Sequence, residues 1–410
     1  MQPILRPILA AAGLLLLNVI SCRPDNYRNN PYTPIELTTK SAEFMQEGNR
    51  FAFRFIEKVN TSEKGDYLIS PLSMQFLLGM ILNGAQGQTA EEICDVLGYG
   101  AGQTDAVNDF CKTMLDRLPG MDKKTTLSIA SAIYVDEGWP LKDGYKQTVG
   151  KFYDATATNL DFSDGTGSAR KINAWCSKQT NGMIPKIMDT TDPGMLAYLL
   201  NAMYFKSKWA EQFKKTDTED EPFKNEAGVK KTVRMMKIDK EFQYTENEVF
   251  QAVRLPYGNG SFAMTVLLPR TDRLVAEVVK ELRKTDDWLA FSRKMIPCDV
   301  DLWLPRFETR SSIPLKDILS EMGMPTAFGG SADFHAMSDY AARLSYVQQD
   351  AAIKVDEEGT EAAVVSHAGM EKASAPMPGD HVVFHADHPF LYLITESSTG
   401  AILFAGRYGF

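Results

Sequence analysis

A stretch near the C-terminal end of the chain, residues 351–376, constrains the fold more than any other. Ile353 and Val355 alternate with charged neighbours, which is the period of a half-buried strand. Beyond them, alternate positions differ in character: one set is small or apolar (Thr360, Ala362, Val364, Ser366, Ala368 and Met370), and the other carries Glu361, His367 and Glu371. No proline interrupts the run before Pro376, so every amide up to there is able to join a ladder. The sequence therefore predicts a strand followed by a loop that has the pattern of a further strand.

The segment from Leu72 to Asn83 is apolar on most sides, and such a helix must lie in the centre of the molecule. It follows Ser70-Pro71, where serine suits the N-cap and proline the first helical turn. Periodicity predicts further helices at 41–59, 105–118, 170–188 and 313–322, and strands at 126–135, 195–204, 251–269 (a hairpin), 299–306, 387–394 and 400–407. These elements together predict an α+β protein.

Four segments, in chain order, resemble those of one protein family. They are Ser70–Ser73 followed by Asn83–Thr89, Asn201–Trp209, Val355–Ala363, and the tail pair Asp387–Ile394 and Gly400–Arg407. They resemble the serpins, the reactive-loop protease inhibitors, over roughly residues 41–410. The resemblance implies a serpin fold, with a large central mixed β-sheet, two further sheets, about eight to nine helices and an exposed reactive-centre loop at about 357–388. It also implies that residues 41–410 form a single domain.

The resemblance implies that the protein acts as a bait for a protease. Residues Glu357, Glu358, Gly359, Thr360, Glu361, Ala362 and Ala363 match the family's hinge, which inserts into the main sheet after cleavage. Counting the family's usual 17 residues from Glu357 places the cut between Ala373 and Ser374, which would suit elastase-like proteases. A shift of one residue would put Lys372 at the cut and suit trypsin-like proteases. Val364 and Val365 are bulkier than the residues common there in the family and would slow insertion.

Two further groups match family positions. Ser70, Ser73 and Asn201 match a polar cluster beneath the sheet, with Gln349 where a histidine is usual; ordinary cap and core hydrogen bonding is the alternative interpretation. Trp209, Arg306 and Glu357 match an aromatic residue and an ion pair at the top of the sheet. A plain core tryptophan and two solvated charges are the alternatives.

Other function classes have little support in the sequence. The formal net charge of −9 argues against nucleic acid as a partner, and the chain has no G-x-S-x-G, H-E-x-x-H or P-loop motif. His381 and His385 would stand about 13 Å apart on a strand, which is too far for one metal ion. No enzymatic activity, metal or cofactor is therefore expected, and the protein is expected to be a monomer in a covalent complex with its target protease. A non-inhibitory serpin that acts as a binding or chaperone module is the second candidate.

The N-terminus has the pattern of a targeting signal. Arg6 and the apolar run from Ile8 to Leu17 resemble the start of a signal peptide, and Ser21 directly before Cys22 resembles the lipobox of bacterial lipoproteins. Residues 1–21 are therefore predicted to be removed and Cys22 to carry lipid, which places the protein in the outer membrane or on the cell surface. An ordinary secretory peptide cleaved near Ser21 is the alternative. Residues 22–40, rich in proline and asparagine, are predicted to be a flexible tether.

Overall fold

A computed structural model describes residues 30–285, 287–344, 346–360 and 381–410. These residues form nine α-helices: α1 (Thr39–Ser62), α2 (Pro71–Leu82), α3 (Gly87–Leu97), α4 (Thr104–Arg117), α5 (Asp143–Tyr153), α6 (Gly165–Gln179), α7 (Val275–Leu282), α8 (Trp288–Arg293) and α9 (Lys316–Met322). In the described residues, no helix is both long enough and apolar enough to span a membrane.

The same residues form fifteen strands: β1 (Tyr67–Ile69), β2 (Thr126–Asp136), β3 (Thr156–Leu160), β4 (Ala197–Lys208), β5 (Glu219–Lys224), β6 (Lys230–Glu246), β7 (Phe250–Tyr257), β8 (Phe262–Pro269), β9 (Ile296–Pro305), β10 (Phe307–Pro314), β11 (Gln348–Asp356), β12 (Gly359–Thr360), β13 (His381–His385), β14 (Phe390–Glu396) and β15 (Ile402–Tyr408). The predicted hairpin at 251–269 corresponds to β7 and β8. The predicted helix at 313–322 begins only at Lys316, because Ile313 and Pro314 complete β10.

The first sheet has six strands in the order β10-β11-β12-β4-β2-β3. It is mixed, because β2 and β3 are parallel while the other neighbours are antiparallel. Strands β4 and β11 run parallel to each other, and the two-residue strand β12 lies between them at one end of the sheet. At the other end Leu199 and Val347 form a direct parallel bridge.

The second sheet has nine strands, eight of them in the order β1-β15-β14-β8-β7-β6-β9-β13, with β5 paired to β6. Strand β6 is long enough to pair with β9 through its first part and with β7 through its last residues. The two further sheets predicted from the sequence are therefore joined into one hydrogen-bonded sheet by β6.

Helix α2 lies in the core, and all twelve of its residues are buried. Ser70 caps it as expected: its Oγ accepts a hydrogen bond from the Ser73 amide at 3.3 Å, and Pro71 occupies the first turn. The helix packs against β4 of the first sheet and β15 of the second. A helix that is apolar on most sides needs cover all round, and helices α1, α3 and α4 provide it together with the two sheets.

Described residues on the N-terminal side of the predicted domain boundary, between residues 40 and 41, contact the folded domain. Helix α1 begins at Thr39, with the Thr38 side chain as its N-cap. Residues 30–35, which we call the strap, contact the folded domain: Asn30 bonds to Asp122, and the Ile35 amide donates to Ser398 Oγ at 2.9 Å. Residues 30–40 of the predicted tether therefore contact the domain at Asn30 and Ile35 and lead into α1.

Candidate functional site

Two residues of the predicted hinge, Gly359 and Thr360, lie in the six-stranded sheet. Gly359 and Thr360 form β12, which pairs antiparallel with β11 on one side and β4 on the other. Thr360 lies opposite Val355 and Ser207, so its backbone is held from both flanks. The structure thus places Gly359 and Thr360 between the parallel strands β11 and β4. If the loop after Thr360 inserted as a strand, it would extend β12 between these same two strands.

Gly359 is required by its backbone and by its surroundings. Its φ is +154°, which side chains disfavour, and a Cβ at this position would lie 2.1 Å from the carbonyl oxygen of Ser207. This carbonyl is part of the backbone of β4, so moving it would disturb the pairing of β4 with its neighbours. Any other residue at 359 would therefore displace β12 from the sheet.

Thr360 is fixed by a hydrogen bond on the inner face of the sheet. It is 1% exposed, and its hydroxyl lies 2.7 Å from the hydroxyl of Tyr257 on β7. Tyr257 stacks on Trp209 with ring centroids 4.4 Å apart and planes 11° from parallel. Burial raises the pKa of Tyr257, so its hydroxyl keeps its proton and remains available to Thr360.

Trp209 lies at the top of β4 and holds the turn that leads into β12. Its indole Nε1 donates to the Asp356 carbonyl at 2.9 Å, and its backbone N–H donates to the Glu358 carbonyl at 3.0 Å. It is almost fully buried, as a core tryptophan would be. Its two bonds to the hinge turn, however, go beyond packing.

Glu357 and Arg306, the predicted ion pair, do meet in the structure. Glu357 Oε2 lies 3.5 Å from Arg306 Nε, and Glu357 Oε1 accepts a hydrogen bond from Thr218 Oγ1 at 2.8 Å. The Glu357 side chain is only 3% exposed, so it is not a solvated charge, whereas Arg306 is 42% exposed. A buried carboxylate is costly unless it is paired and hydrogen-bonded, and these two partners meet that need.

Glu358 makes a second ion pair in the same turn. Lys215 Nζ lies 2.7 Å from Glu358 Oε1, and this hydrogen bond lowers the pKa of the Glu358 carboxyl. Because the lysine is largely exposed, the pair adds little stability by itself. Glu357 and Glu358 are thus each paired with a basic side chain from another segment, Arg306 and Lys215.

The predicted polar cluster beneath the sheet is divided into two parts. The Gln349 amide makes two bonds to one residue: Oε1 accepts from the Ser70 N–H at 2.8 Å, and Nε2 donates to the Ser70 carbonyl at 3.0 Å. Asn201 bonds instead to Ser131 on β2, with Nδ2 donating to Oγ at 3.0 Å. Ser73 Oγ is buried and has no hydrogen-bond partner in the described part of the chain.

Sequence reasoning missed Tyr257, Ser131 and Ser207. The sequence places Tyr257 only in the turn of a hairpin, because its contact with Thr360 spans 103 positions of the chain and leaves no local pattern. Ser131 interrupts an apolar strand, and that interruption is the signal that would have marked it, whereas Ser207 stands between Lys206 and Lys208 and has no such signal.

Several predicted residues lie outside the described part of the chain. They are Glu361, Ala362 and Ala363 of the hinge, Lys372, Ala373 and Ser374 at the cut, and Cys22. His381 and His385 are described and lie on one strand, β13. Within the described residues no three His, Cys, Asp or Glu side chains are grouped closely enough to hold a metal ion.

Comparisons with known proteins agree on one family. Residues 46–409 match the sequence model of "Serpin (serine protease inhibitor)". The chain is 34% identical to the leukocyte elastase inhibitor of Xenopus tropicalis over 376 residues, covering 87% of this chain and 97% of the relative.

Among solved structures, the chain is similar to the thermophilic serpin tengpin in its native state, with a TM-score of 0.82 and 26% identity over 92% of this chain and 95% of tengpin. It is also similar to Serpin48 of the insect Tenebrio molitor, with a TM-score of 0.79 and 27% identity over 91% of this chain and 99% of the relative. The matched region spans nearly the whole folded unit and includes the site described above. The α+β fold with its mixed central sheet is thereby confirmed, and the chain belongs to the serpin family.

Proposed function

We propose that this protein inhibits serine proteases, with cysteine proteases as a second target class, through cleavage of its own reactive-centre loop. The observation that carries the proposal is the position of Gly359 and Thr360, which already pair with both β11 and β4. A relative that covers most of the chain bears the name leukocyte elastase inhibitor, which supports the same class of activity.

The observed register shows what further insertion would require. If the pairing of Thr360 with Ser207 and Val355 continues residue by residue, Ala368 arrives opposite both Leu199 and Val347. Those two residues bridge each other directly in the present structure. The two flanking strands therefore define one consistent register for an inserted strand of nine residues, 360–368, and the last of these must break the bridge.

The face of the inserted strand follows from Thr360. Because directly paired residues project on the same side of a sheet, the buried Thr360 puts Ala362, Val364 and Ser366 on the inner face as well. In this register Ser366 arrives between Asn201 and Gln349. A hydroxyl suits that place, since both neighbours carry amide side chains.

The mechanism follows from the chemistry of the protease and the length of the loop. The nucleophile of the protease attacks the scissile carbonyl, the peptide bond breaks, the new N-terminal amine leaves with a proton from the protease's histidine, and an acyl intermediate remains. Insertion then carries the acylated protease along the sheet; the 17 residues from Glu357 to Ala373 span about 55 Å when extended. Distortion of the protease at the far end would disturb its oxyanion hole, so that the ester is not hydrolysed.

The free energy of insertion is large enough to drive this movement. About a dozen new ladder hydrogen bonds at about 1 kcal/mol each amount to some 10 kcal/mol, comparable with the stability of a whole domain. The uncleaved protein is therefore proposed to be kinetically trapped. Val364 and Val365 are expected to slow the insertion because they are bulkier than alanine.

We place the cut between Ala373 and Ser374, by counting from Glu357, which would direct the inhibitor to elastase-like proteases. Lys372 as the specificity residue would direct it to trypsin-like proteases instead, because a lysine needs a carboxylate at the floor of the pocket. Intact-mass measurement of the C-terminal peptide released from the complex decides between them. A peptide that begins at Ser374 supports the first, and one that begins at Ala373 supports the second.

The proposal is tested with a panel of serine and cysteine proteases. Incubation with the target is expected to give a covalent complex that survives a denaturing gel. Cleavage of the loop alone is expected to raise the melting temperature by tens of degrees, since each kcal/mol shifts it by a few degrees. Cleavage without any stable complex and without a change in melting temperature would contradict inhibition and favour a non-inhibitory binding or chaperone role.

We also propose that the mature protein is a monomer, anchored through lipid on Cys22 to the outer membrane or the cell surface. The support is the sequence before Cys22, where the apolar run is too short to span a bilayer. A single chain is sufficient for the proposed inhibition, because both strands that flank β12 belong to the same molecule.

A further inference from the structure

The strap is held to the domain at both of its ends. Asn30 Nδ2 donates to Asp122 Oδ1 at 2.6 Å, and Asn30 Oδ1 accepts from the Lys123 amide at 2.9 Å. Five residues later the Ile35 amide donates to Ser398 Oγ, and the Ile35 side chain is buried. The strap therefore has a defined docking site, of which Asp122 is the innermost part.

Asp122 is a buried carboxylate that gathers several donors. It is 1% exposed, and besides Asn30 it accepts hydrogen bonds from the Lys124 amide at 2.9 Å and from Thr125 Oγ1 at 2.8 Å. These donors are all neutral. A buried charge held by neutral donors depends on each of them, because a donor that is lost leaves a lone pair unpaired.

One route from Asp122 to the hinge runs through Thr125 and Ser207. The Thr125 hydroxyl lies 2.6 Å from the Ser207 hydroxyl. Since the single proton of Thr125 is donated to the carboxylate, Ser207 must be the donor in this second bond. Ser207 is the residue of β4 that pairs with Thr360. The carboxylate thus orients the side chain of the β4 residue that pairs with Thr360.

A second route runs through the turn after β7. A Cβ on Gly258 would lie 1.7 Å from Asp122 Oδ2, so the turn packs directly on the carboxylate. The preceding residue, Tyr257, is the one that bonds to the Thr360 hydroxyl. Tyr257, whose side chain bonds to Thr360, and Ser207, whose backbone pairs with it, therefore both lie next to groups that contact Asp122.

We propose that Asp122 is a positioning residue for loop insertion, and that docking of the strap through Asn30 sets how firmly Thr360 is held in the sheet. The consequence for inhibition depends on the proposed function, but the docking of the hinge itself does not. A strap that is displaced would loosen Ser207 and the turn at Gly258 together, and β12 would leave the sheet more often.

The experiment is hydrogen exchange measured by mass spectrometry on the full chain, without protease. Asn30→Ala is expected to raise the exchange rate of the hinge amides at 357–360 about fivefold, the factor that corresponds to one net hydrogen bond of about 1 kcal/mol. Asp122→Ala is expected to raise it further, and Asp122→Asn, which keeps one acceptor oxygen, to fall between. Gly359→Ala serves as the positive control for a displaced hinge.

Asn247→Ala provides the matched control, because this asparagine also caps backbone amides but lies at the opposite end of β7. It is expected to leave hinge exchange unchanged. If Asn30→Ala speeds exchange in the strap but not in the hinge, while Gly359→Ala speeds it in the hinge, the coupling is refuted. Should Asp122→Ala fail to fold, Asn30→Ala decides alone, because Asn30 is partly exposed.

An inhibition assay with the same variants separates the two proposals. If the native protein forms a stable complex, a looser hinge is expected to change the rate of complex formation in Asn30→Ala but not in Asn247→Ala; equal rates for these two variants would overturn the proposed role in inhibition. If the native protein forms no complex with any protease, the proposed function fails, while hinge exchange still decides the role of Asp122.

Discussion

The hydroxyls of Thr360 and Tyr257 lie 2.7 Å apart, which ties the start of the reactive-centre loop to the second sheet of the molecule. The contact buries Thr360 before any cleavage has occurred. The uncut protein therefore already contains the first step of the strand insertion that its proposed function requires.

Thr360→Arg is expected to convert the inhibitor into a substrate. An arginine at this position would be buried without a partner whenever β12 lies in the sheet, both before cleavage and after insertion, at a cost of several kcal/mol, and each 1.4 kcal/mol is a factor of ten. Cleavage should continue while the yield of stable complex falls at least about tenfold. Thr360→Ser keeps the hydroxyl and is the control. An unchanged yield of complex in Thr360→Arg would contradict insertion.

Ser366→Leu is expected to lower the ratio of complex to cleaved product, because the register brings residue 366 between Asn201 and Gln349, where leucine is larger than serine and offers their amides no hydrogen bond. His367→Leu is the control, since the register places residue 367 on the opposite face. Both variants are tested by densitometry of denaturing gels. Equal ratios for the two variants would contradict the proposed register.

Gln349→Leu is expected to destabilise the uncut protein by about 1–3 kcal/mol, because it leaves the N–H of Ser70 unpaired in the core, while the Ser70 carbonyl keeps only its bond from the Met74 amide. Gln348→Leu, whose native side chain bonds to Asp350, is the matched control. Urea unfolding measures the difference. A loss no greater than that of the control would show that the two bonds to Ser70 contribute little.

Stability is expected to depend on pH through His388. Burial opposes its charged form, but hydrogen bonds to Asp387 (2.7 Å) and to the Pro269 carbonyl (2.9 Å) outweigh this and raise the pKa of His388. A raised pKa gives stabilisation that is fully present below the unfolded value of about 6.5 and is lost as the pH rises through the folded value. The melting temperature should fall less between about pH 6 and pH 8.5 in His388→Gln than in the native protein. Parallel curves would contradict the assignment.

Cys22→Ala is expected to release the protein from the membrane fraction, because the lipid on that cysteine would be the anchor. Fractionation with Ser21→Ala, which keeps a small residue before the cysteine, is the control. A variant without Cys22 that stays membrane-bound would show that the lipobox interpretation is wrong.

The alternation around Thr360 was readable in the sequence because a strand places every second side chain on one face, and the structure buries Thr360 accordingly. The sequence also predicted that Glu357 and Arg306 meet. The first prediction rested on a local pattern and the second on family resemblance. Neither required knowledge of which distant segments come together in this chain.

What the sequence did not reveal depends on contacts between distant segments. Asn201 was grouped with Ser70, but its partner is Ser131, which is set by the register of β2 against β4. The strap has the composition of a tether, and composition does not show that Asn30 meets a carboxylate 92 positions away.

The position of the strap also has a directional consequence. Asn30 is joined through Asp122 and Thr125 to Ser207, at the end of the sheet where the hinge enters. If Cys22 carries lipid, the eight Cα-to-Cα steps from it to Asn30 reach at most about 28 Å. A protease would then be captured close to the bilayer, and the inserting strand would carry it outward, so that the trapped enzyme ends up facing away from the cell.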